Sequence, residues 1–272
     1  SIIYQWWDLT TNTIQITLRV FADGHLQFYL GSGTGTPIGS ASAAALILPS
    51  TWVYIECSVI ISSSVGFVEC RINGNSTPVI TTAATQNTQS SANAYTNCAD
   101  FVSPGGAANF DDWYMLDKSG SSPLNTYLGN VQARGDAPNA NSAVGGRNAF
   151  TPTNPTNVNF SNVANIPANS AEYNADDNPG DFDMFRFPAL PGSVATVYGV
   201  NEWALLELDA AGARTVSLNC DSGGTDSLGT AFTPTAGTLV YYNQALQDDP
   251  HTAAAWTPTA AGSAELGVKV IT

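Results

Sequence analysis

Trp52-Val-Tyr-Ile-Glu-Cys-Ser-Val-Ile-Ile61, the polar break Ser62 to Val65, then Gly66-Phe-Val-Glu-Cys-Arg-Ile72 and the dipeptide Asn73-Gly74 decide how this chain is read. Both arms are rich in β-branched and aromatic residues, and Pro49-Ser50-Thr51 stops the chain just ahead of the first. Asn-Gly is a strong type I′ signal, because both central residues of that turn need positive φ. The stretch is therefore predicted to be a β-hairpin. Symmetry about the serine turn sets Cys57 opposite Cys70 and Glu56 opposite Arg71, an acid and a base facing each other across one sheet face. Cross-strand cysteines can be bonded or free, and the sequence leaves that open.

Working outward, Thr13 to Phe21 alternates apolar and polar residues. Ala22-Asp23-Gly24-His25 turns the chain and Leu26-Gln-Phe-Tyr-Leu30 returns, which predicts a second hairpin. A strand of small residues ending at Leu48 is expected next. Thr81 to Asn97 reads as a polar connection, Pro104-Gly105-Gly106 as a turn, Phe110 to Asp117 as a buried strand and Tyr127 to Val131 as a short one. From Arg134 to about Ala175 the sequence is rich in Asn, Pro and Ala without periodicity, which predicts a linker or an extended arm. Further strands are expected over 181–187, 193–200, 203–209, 215–220, 239–244 and 266–271, with one helical turn at most in 244–255. The chain thus divides into a first β domain over 1–133, a linker over 134–178 and a smaller β-sandwich over 179–272, an all-β protein.

Composition narrows the function classes. Eight basic residues against 22 acidic ones leave a net charge of −14, which repels a phosphate backbone and argues against nucleic acid as a ligand. The longest apolar runs, Ala43 to Leu48 and Trp52 to Ile61, are too short to span a bilayer, so membrane insertion is not expected. Cys57, Cys70, Cys98 and Cys220 show no zinc-ligand spacing. His25 and His251 stand near no nucleophile motif, and G-x-S-x-G is absent, so no catalytic residue is assigned and a non-enzymatic protein is expected. Trp52 and Trp113 lie in apolar runs and are expected in the core. In the doublet Trp6-Trp7 one ring must face away from it. The abrupt entry at Ser1-Ile-Ile-Tyr4 reads as already inside a strand, as though chain were missing upstream.

Trp52-Val-Tyr-Ile-Glu with Gly66 to Gly74 resembles the central hairpin of laminin-G-like, concanavalin A-like jelly rolls, and Phe110-Asp-Asp-Trp-Tyr-Met is similar to the acidic pair before a core strand in that superfamily. Taken in order with Tyr127 to Val131, Gly180 to Phe185, Tyr241-Tyr242, Asp249-Pro250, Ala255-Trp-Thr257 and Ala264 to Val270, these features resemble a family of tailed-bacteriophage virion proteins. The resemblance implies a concanavalin A-like (laminin-G-like) first sandwich lacking its first strands. It also implies a structural role on the virion, tail- or fibre-associated or decorating the capsid exterior. Other virion proteins and further copies of the chain, as a homo-oligomer, are then the partners. The alternative it leaves is a tail adhesin that binds a host surface glycan. Asp111 and Asp112 match the pair that some laminin-G-like relatives use to hold calcium, and Asp176, Asp177, Asp181 and Asp183 form a second acidic group. Asp at turns also bonds its own backbone, which is the competing reading of both. No other cofactor is expected.

Overall fold

The computed structural model describes residues 1–102, 108–209 and 214–272. It is nearly all β, built from antiparallel sheets with two short helices. The turn expected at Pro104-Gly105-Gly106 lies outside the described residues. Two compact units emerge, Ser1–Arg134 and Gly135–Thr272.

In the first unit, β1 (Ile2–Asp8), β2 (Thr13–Val20), β3 (Leu26–Leu30), β4 (Pro37–Ile38) and β8 (Cys98–Phe101) form one sheet in the order β4-β3-β2-β1-β8. A second sheet holds β5 (Ile55–Ile60), β6 (Phe67–Ile72) and β7 (Ile80–Thr81) in sequence order. Both predicted hairpins form, β2 with β3 and β5 with β6. The second has the expected register, with Glu56 opposite Arg71 and Cys57 opposite Cys70. Asn73 and Gly74 have φ of 54° and 70°, and Asn75 N–H closes the turn on Ile72 O at 3.0 Å, as a type I′ turn requires. The inward faces of the two sheets meet in one core of Trp6, Ile16, Leu18, Phe28, Val68 and Ile72, with Cys70 among them. Gly24 turns β2 into β3 at φ 80°; a Cβ there would lie 2.4 Å from Ile47 O.

The outer face of β5-β6 carries Glu56, Glu69 and Arg71, and the charge pairing there differs from expectation. Arg71 bonds Glu69 on its own strand, at 2.8 Å, and lies 3.9 Å over the Tyr127 ring. Buried Glu56 instead accepts the Tyr114 hydroxyl and Gly129 N–H. Residues 110–117 and 127–131, read as strands from their apolar content, join no ladder. They cross the outside of the hairpin and are held by that carboxylate. The small-residue strand expected to end at Leu48 is reduced to β4.

In the second unit, β9 (Ala140–Asn141), β12 (Phe182–Arg186), β14 (Val216–Ser222), β15 (Thr225–Leu228) and β19 (Glu265–Val270) form a sheet in the order β15-β14-β19-β12-β9. Three strand pairs accompany it: β10 (Thr151–Pro152) with β11 (Asn174–Ala175), β13 (Val200–Leu206) with β16 (Val240–Leu246), and β17 (Asp248–Asp249) with β18 (Ala254–Ala255). The helices are α1 (Asn159–Val163) and α2 (Pro258–Ser263); Pro258 opens the latter and the Thr257 side chain accepts from Ala260 N–H. The β13-β16 pair covers the sheet through Ala204, Leu206 and Tyr242 packed on Val216, Leu218 and Val268. Trp256 is buried and donates its indole N–H to Leu246 O at 3.0 Å.

Three expectations fail in this unit. Residues 193–199 are not a strand, and the helical turn expected in 244–255 is the end of β16 followed by the β17-β18 pair. The larger correction concerns 134–178, expected as a linker or arm. Gly135 onward belongs to the second unit, where β9 pairs with β12 and α1 touches β9, β10 and β11. The physical reason is a carboxylate. Buried Asp183 accepts Asn148 Nδ2 at 3.0 Å, Asn159 Nδ2 at 3.0 Å and Asn174 Nδ2 at 2.7 Å. The same three amides reach backbone oxygens of Met184, Phe150 and Asn159. Asparagines without hydrophobic periodicity tie the segment down by hydrogen bonds.

Candidate functional site

Asp111 and Asp112 sit in an irregular stretch, Asp111 exposed and Asp112 half-buried at φ 53°. Asp111 Oδ1 accepts from Asp112 N–H at 2.8 Å, and Asp112 Oδ1 accepts from Ala133 N–H at 2.9 Å. These bonds shape the loop. The second acidic group is dispersed: Asp176 caps Asn178 N–H at 2.8 Å, Asp177 lies 3.7 Å from Arg214, and Asp183 is enclosed by its three asparagines. Among the described residues no group of three or more His, Cys, Asp or Glu side chains is placed to hold a metal ion.

The buried carboxylates organise loops. Asp8 fixes two connections at once, through Thr10 N–H at 3.0 Å, Thr11 Oγ1 at 2.7 Å, Ser91 Oγ at 2.7 Å and Asn93 Nδ2 at 2.9 Å. Its removal from water opposes ionisation, yet these four donors together outweigh that and bring the carboxyl down to about 2. At Asp183 the balance reverses. Burial prevails over the three amides and lifts the carboxyl to about 6. Sequence inspection offers no sign of either role, since each acid stands in a strand among ordinary neighbours.

The histidines serve turns. In the first unit His25 stacks on Phe21 at 4.2 Å and its ring nitrogen meets Asp23 Oδ1 at 2.6 Å. In the second, His251 Nδ1 and Thr225 Oγ1 are 2.8 Å apart.

The surface aromatics are the more informative groups. Trp52 and Trp113, expected in the core, are 70% and 51% exposed. Trp52 precedes the first paired residue of its strand, Ile55, so no partner strand fixes it over the core. In the 110–117 stretch Tyr114 turns inward to Glu56, which sends its neighbours Trp113 and Met115 outward. Of the doublet, Trp6 is in the core, while Trp7 lines a shallow cleft with Leu9, Asn12 and Cys98. Trp113 joins exposed Phe101 and Phe110: the Phe101 ring centroid is 4.8 Å from Phe110 and 5.8 Å from Trp113, and Tyr4, its partner across the ladder, is 5.0 Å away. This ring cluster grows from β8, the terminal strand of its sheet.

A different surface lies in the second unit. Along β16, Tyr241, Tyr242 and Gln244 border a cleft of about 470 Å³, closed by Leu218, Thr230 and Phe232. Phe232 and Tyr242 stack at 4.3 Å, and the Tyr242 hydroxyl accepts Thr235 N–H at 3.0 Å, which fixes that wall. Gln244 Oε1 is buried and has no hydrogen-bond partner. Across the ladder, burial pushes the Glu202 carboxyl well above the usual range, Gly267 N–H bonding notwithstanding, and its Oε2 is likewise unpaired. The doublet Tyr241-Tyr242 ahead of two side-chain amides was the available sequence signal for this cleft.

The chain matches no family model, no curated protein and no solved structure.

Proposed function

We propose that this protein is a non-enzymatic structural component of a tailed-phage particle, carried on the tail or its fibres or on the capsid exterior, and that its first, laminin-G-like unit binds other virion proteins and further copies of the chain. The observation that carries the contact surface is the exposed ring cluster Phe101, Phe110 and Trp113 beside the outer edge of β8. A terminal strand offers unpaired N–H and C=O groups to a strand from another chain, and large rings next to it supply the apolar area that an interface core needs. The particle setting rests on the ordered sequence resemblance. Closed rotational symmetry is the expected form of the assembly.

Sedimentation of the purified protein tests this reading, together with immunogold labelling of intact particles. Wild type is expected as an oligomer that labels virions, and Phe101→Ser with Trp113→Ser is expected to sediment as a monomer with an unchanged melting temperature. A strictly monomeric wild type that labels no particle overturns it.

A second reading has its own observation, the unpaired Gln244 Oε1 in the aromatic cleft. Gln244 Oε1 is packed against Gly229, and rotation of the side chain would offer it to a sugar hydroxyl while the sugar's C–H face lies on a tyrosine ring; the acidic chain disfavours anionic glycans. The ligand class is then a neutral host-surface saccharide. A glycan array with and without calcium chelation tests it. Binding that falls about tenfold or more in Tyr241→Ala and Gln244→Ala supports the cleft, and no binding to any glycan eliminates it.

A further inference from the structure

The β5-β6 hairpin carries its two cysteines in a position with defined geometry. Tyr54 and Asn73, the pair just outside the ladder, are joined by Asn73 N–H to Tyr54 O at 2.8 Å. In an antiparallel ladder hydrogen-bonded pairs alternate with non-bonded ones. Counting inward, Ile55 with Ile72 is non-bonded, Glu56 with Arg71 is bonded, and Cys57 with Cys70 is non-bonded. The Cys70 carbonyl confirms the phase, because it turns to the other side and accepts Val79 N–H at 2.8 Å.

Directly opposed residues at a non-bonded site have Cα atoms about 4.5 Å apart with side chains on the same face. That separation falls inside the range of about 4.4–6.8 Å that disulfides span. Both thiols are free; Cys70 Sγ donates to Arg71 O at 3.9 Å, and the nearness of Cys70 together with burial opposes ionisation of Cys57. Cys70 is fully buried, while Cys57 packs against the core from β5, the terminal strand of its sheet among the described residues, and is the less buried residue of the pair.

We infer that Cys57 and Cys70 are a modification site: a preformed dithiol that closes to an intramolecular disulfide when the protein meets a small oxidising disulfide such as oxidised glutathione. The Cys57 thiol loses its proton and attacks one sulfur of the reagent, releasing one glutathione thiol and leaving a mixed disulfide. Cys70 then loses its proton and attacks Cys57 Sγ, forming the protein disulfide and releasing the second glutathione thiol. Two protein thiols are oxidised and one disulfide is reduced to two thiols. The neighbouring Cys70 thiol and burial push the Cys57 thiol well up, so little thiolate is present and the closure is slow. Passage from a reducing cell interior to an oxidising exterior is the setting in which it closes. Cys98, in β8, and Cys220, in the second unit, have no opposed cysteine in their ladders and stay thiols.

The full chain, incubated with oxidised glutathione, denatured and alkylated with N-ethylmaleimide, is read by intact mass and peptide mapping. The expected product has two alkylated cysteines, Cys98 and Cys220, and one cross-linked peptide pair containing Cys57 and Cys70, two hydrogens lighter than the reduced pair. The first unit of oxidised protein is expected to melt about 5–10 °C above its reduced form, as closing a loop of this length predicts. Cys57→Ser and Cys70→Ser, each checked for a native circular dichroism spectrum, are expected to show no such rise, and Cys98→Ser to keep it. Four alkylated cysteines after prolonged incubation, a cross-link through Cys98, or an oxidised form melting no higher than the reduced one would each overturn the inference.

Discussion

Acidification is expected to stabilise the second unit, and Asp183 is the reason. Its carboxyl, near 3.8 in an unfolded chain, is lifted to about 6 by burial in the folded state. Between those values the folded protein holds a proton that the unfolded chain has lost, so stability falls as pH rises through the window and levels off above it. A shift of about two units corresponds to about 3 kcal/mol, and about 2 kcal/mol of that returns on going from pH 7 to about pH 4.5. Glu202 is displaced in the same direction, so the contribution of Asp183 is isolated by difference. Urea unfolding at several pH values, followed by the fluorescence of Trp203 and Trp256 in that unit, measures the wild-type slope. In Asp183→Asn the slope should shrink by that same 2 kcal/mol. At pH 7 the new amide sets an N–H against one of the three asparagine donors, so the variant forfeits at least one buried hydrogen bond. A slope unchanged by the substitution, or a wild type that gains stability from pH 4.5 to 7, would refute the reasoning.

Further substitutions test the loop anchors. Thr88 is fully buried, accepts Ser62 N–H at 2.9 Å and donates to Ile60 O at 2.6 Å, so Thr88→Val keeps the volume and is expected to lower denaturant stability by about 1–3 kcal/mol. Gly24→Ala must place a Cβ against Ile47 O at positive φ; a cost of about 2 kcal/mol or more should appear in chemical denaturation. Glu56→Ala strands the Tyr114 hydroxyl and Gly129 N–H, and the 114–129 stretch should become a site of rapid tryptic cleavage at Lys118 under conditions where wild type stays intact.

One physical line separates what is legible in the sequence from what is not. Wherever the fold is driven by alternating apolar residues and turn chemistry it was legible: the β2-β3 and β5-β6 hairpins, the register that opposes Cys57 and Cys70, and the Asn73-Gly74 turn. Where a segment is held by polar contacts to a distant residue, local pattern has nothing to report. The 134–178 stretch looked like a linker because its attachment to Asp183 runs through side-chain amides. The 110–117 run looked like a core strand because its apolar content is high, whereas its position is set by Tyr114 reaching Glu56. Trp113 and Trp52 lie outside the core for the same reason, since hydrophobicity alone does not say which residues find a partner strand. The ring cluster beside β8 depends on residues far apart in the chain and has no contiguous motif, and the Tyr241-Tyr242 doublet marks only one wall of the cleft along β16.

Gln15 shows what this manner of construction permits. It is fully buried in β2; its amide nitrogen reaches Ser91 Oγ at 2.8 Å and Asn93 O at 2.7 Å, and its oxygen takes Ser90 N–H at 2.7 Å. A long polar connection is therefore nailed from beneath at a few positions, with Gln86 bridged to Gly66 and Asn87 Oδ1 accepting Gln89 N–H between them. Such a surface can serve as an interchangeable cassette: the exposed side chains of 83–85 can be rewritten without disturbing the contacts below, provided that Gln86 keeps its bridge to Gly66, Thr88 its bonds to Ser62 and Ile60, and Ser90, Ser91 and Asn93 theirs to Gln15.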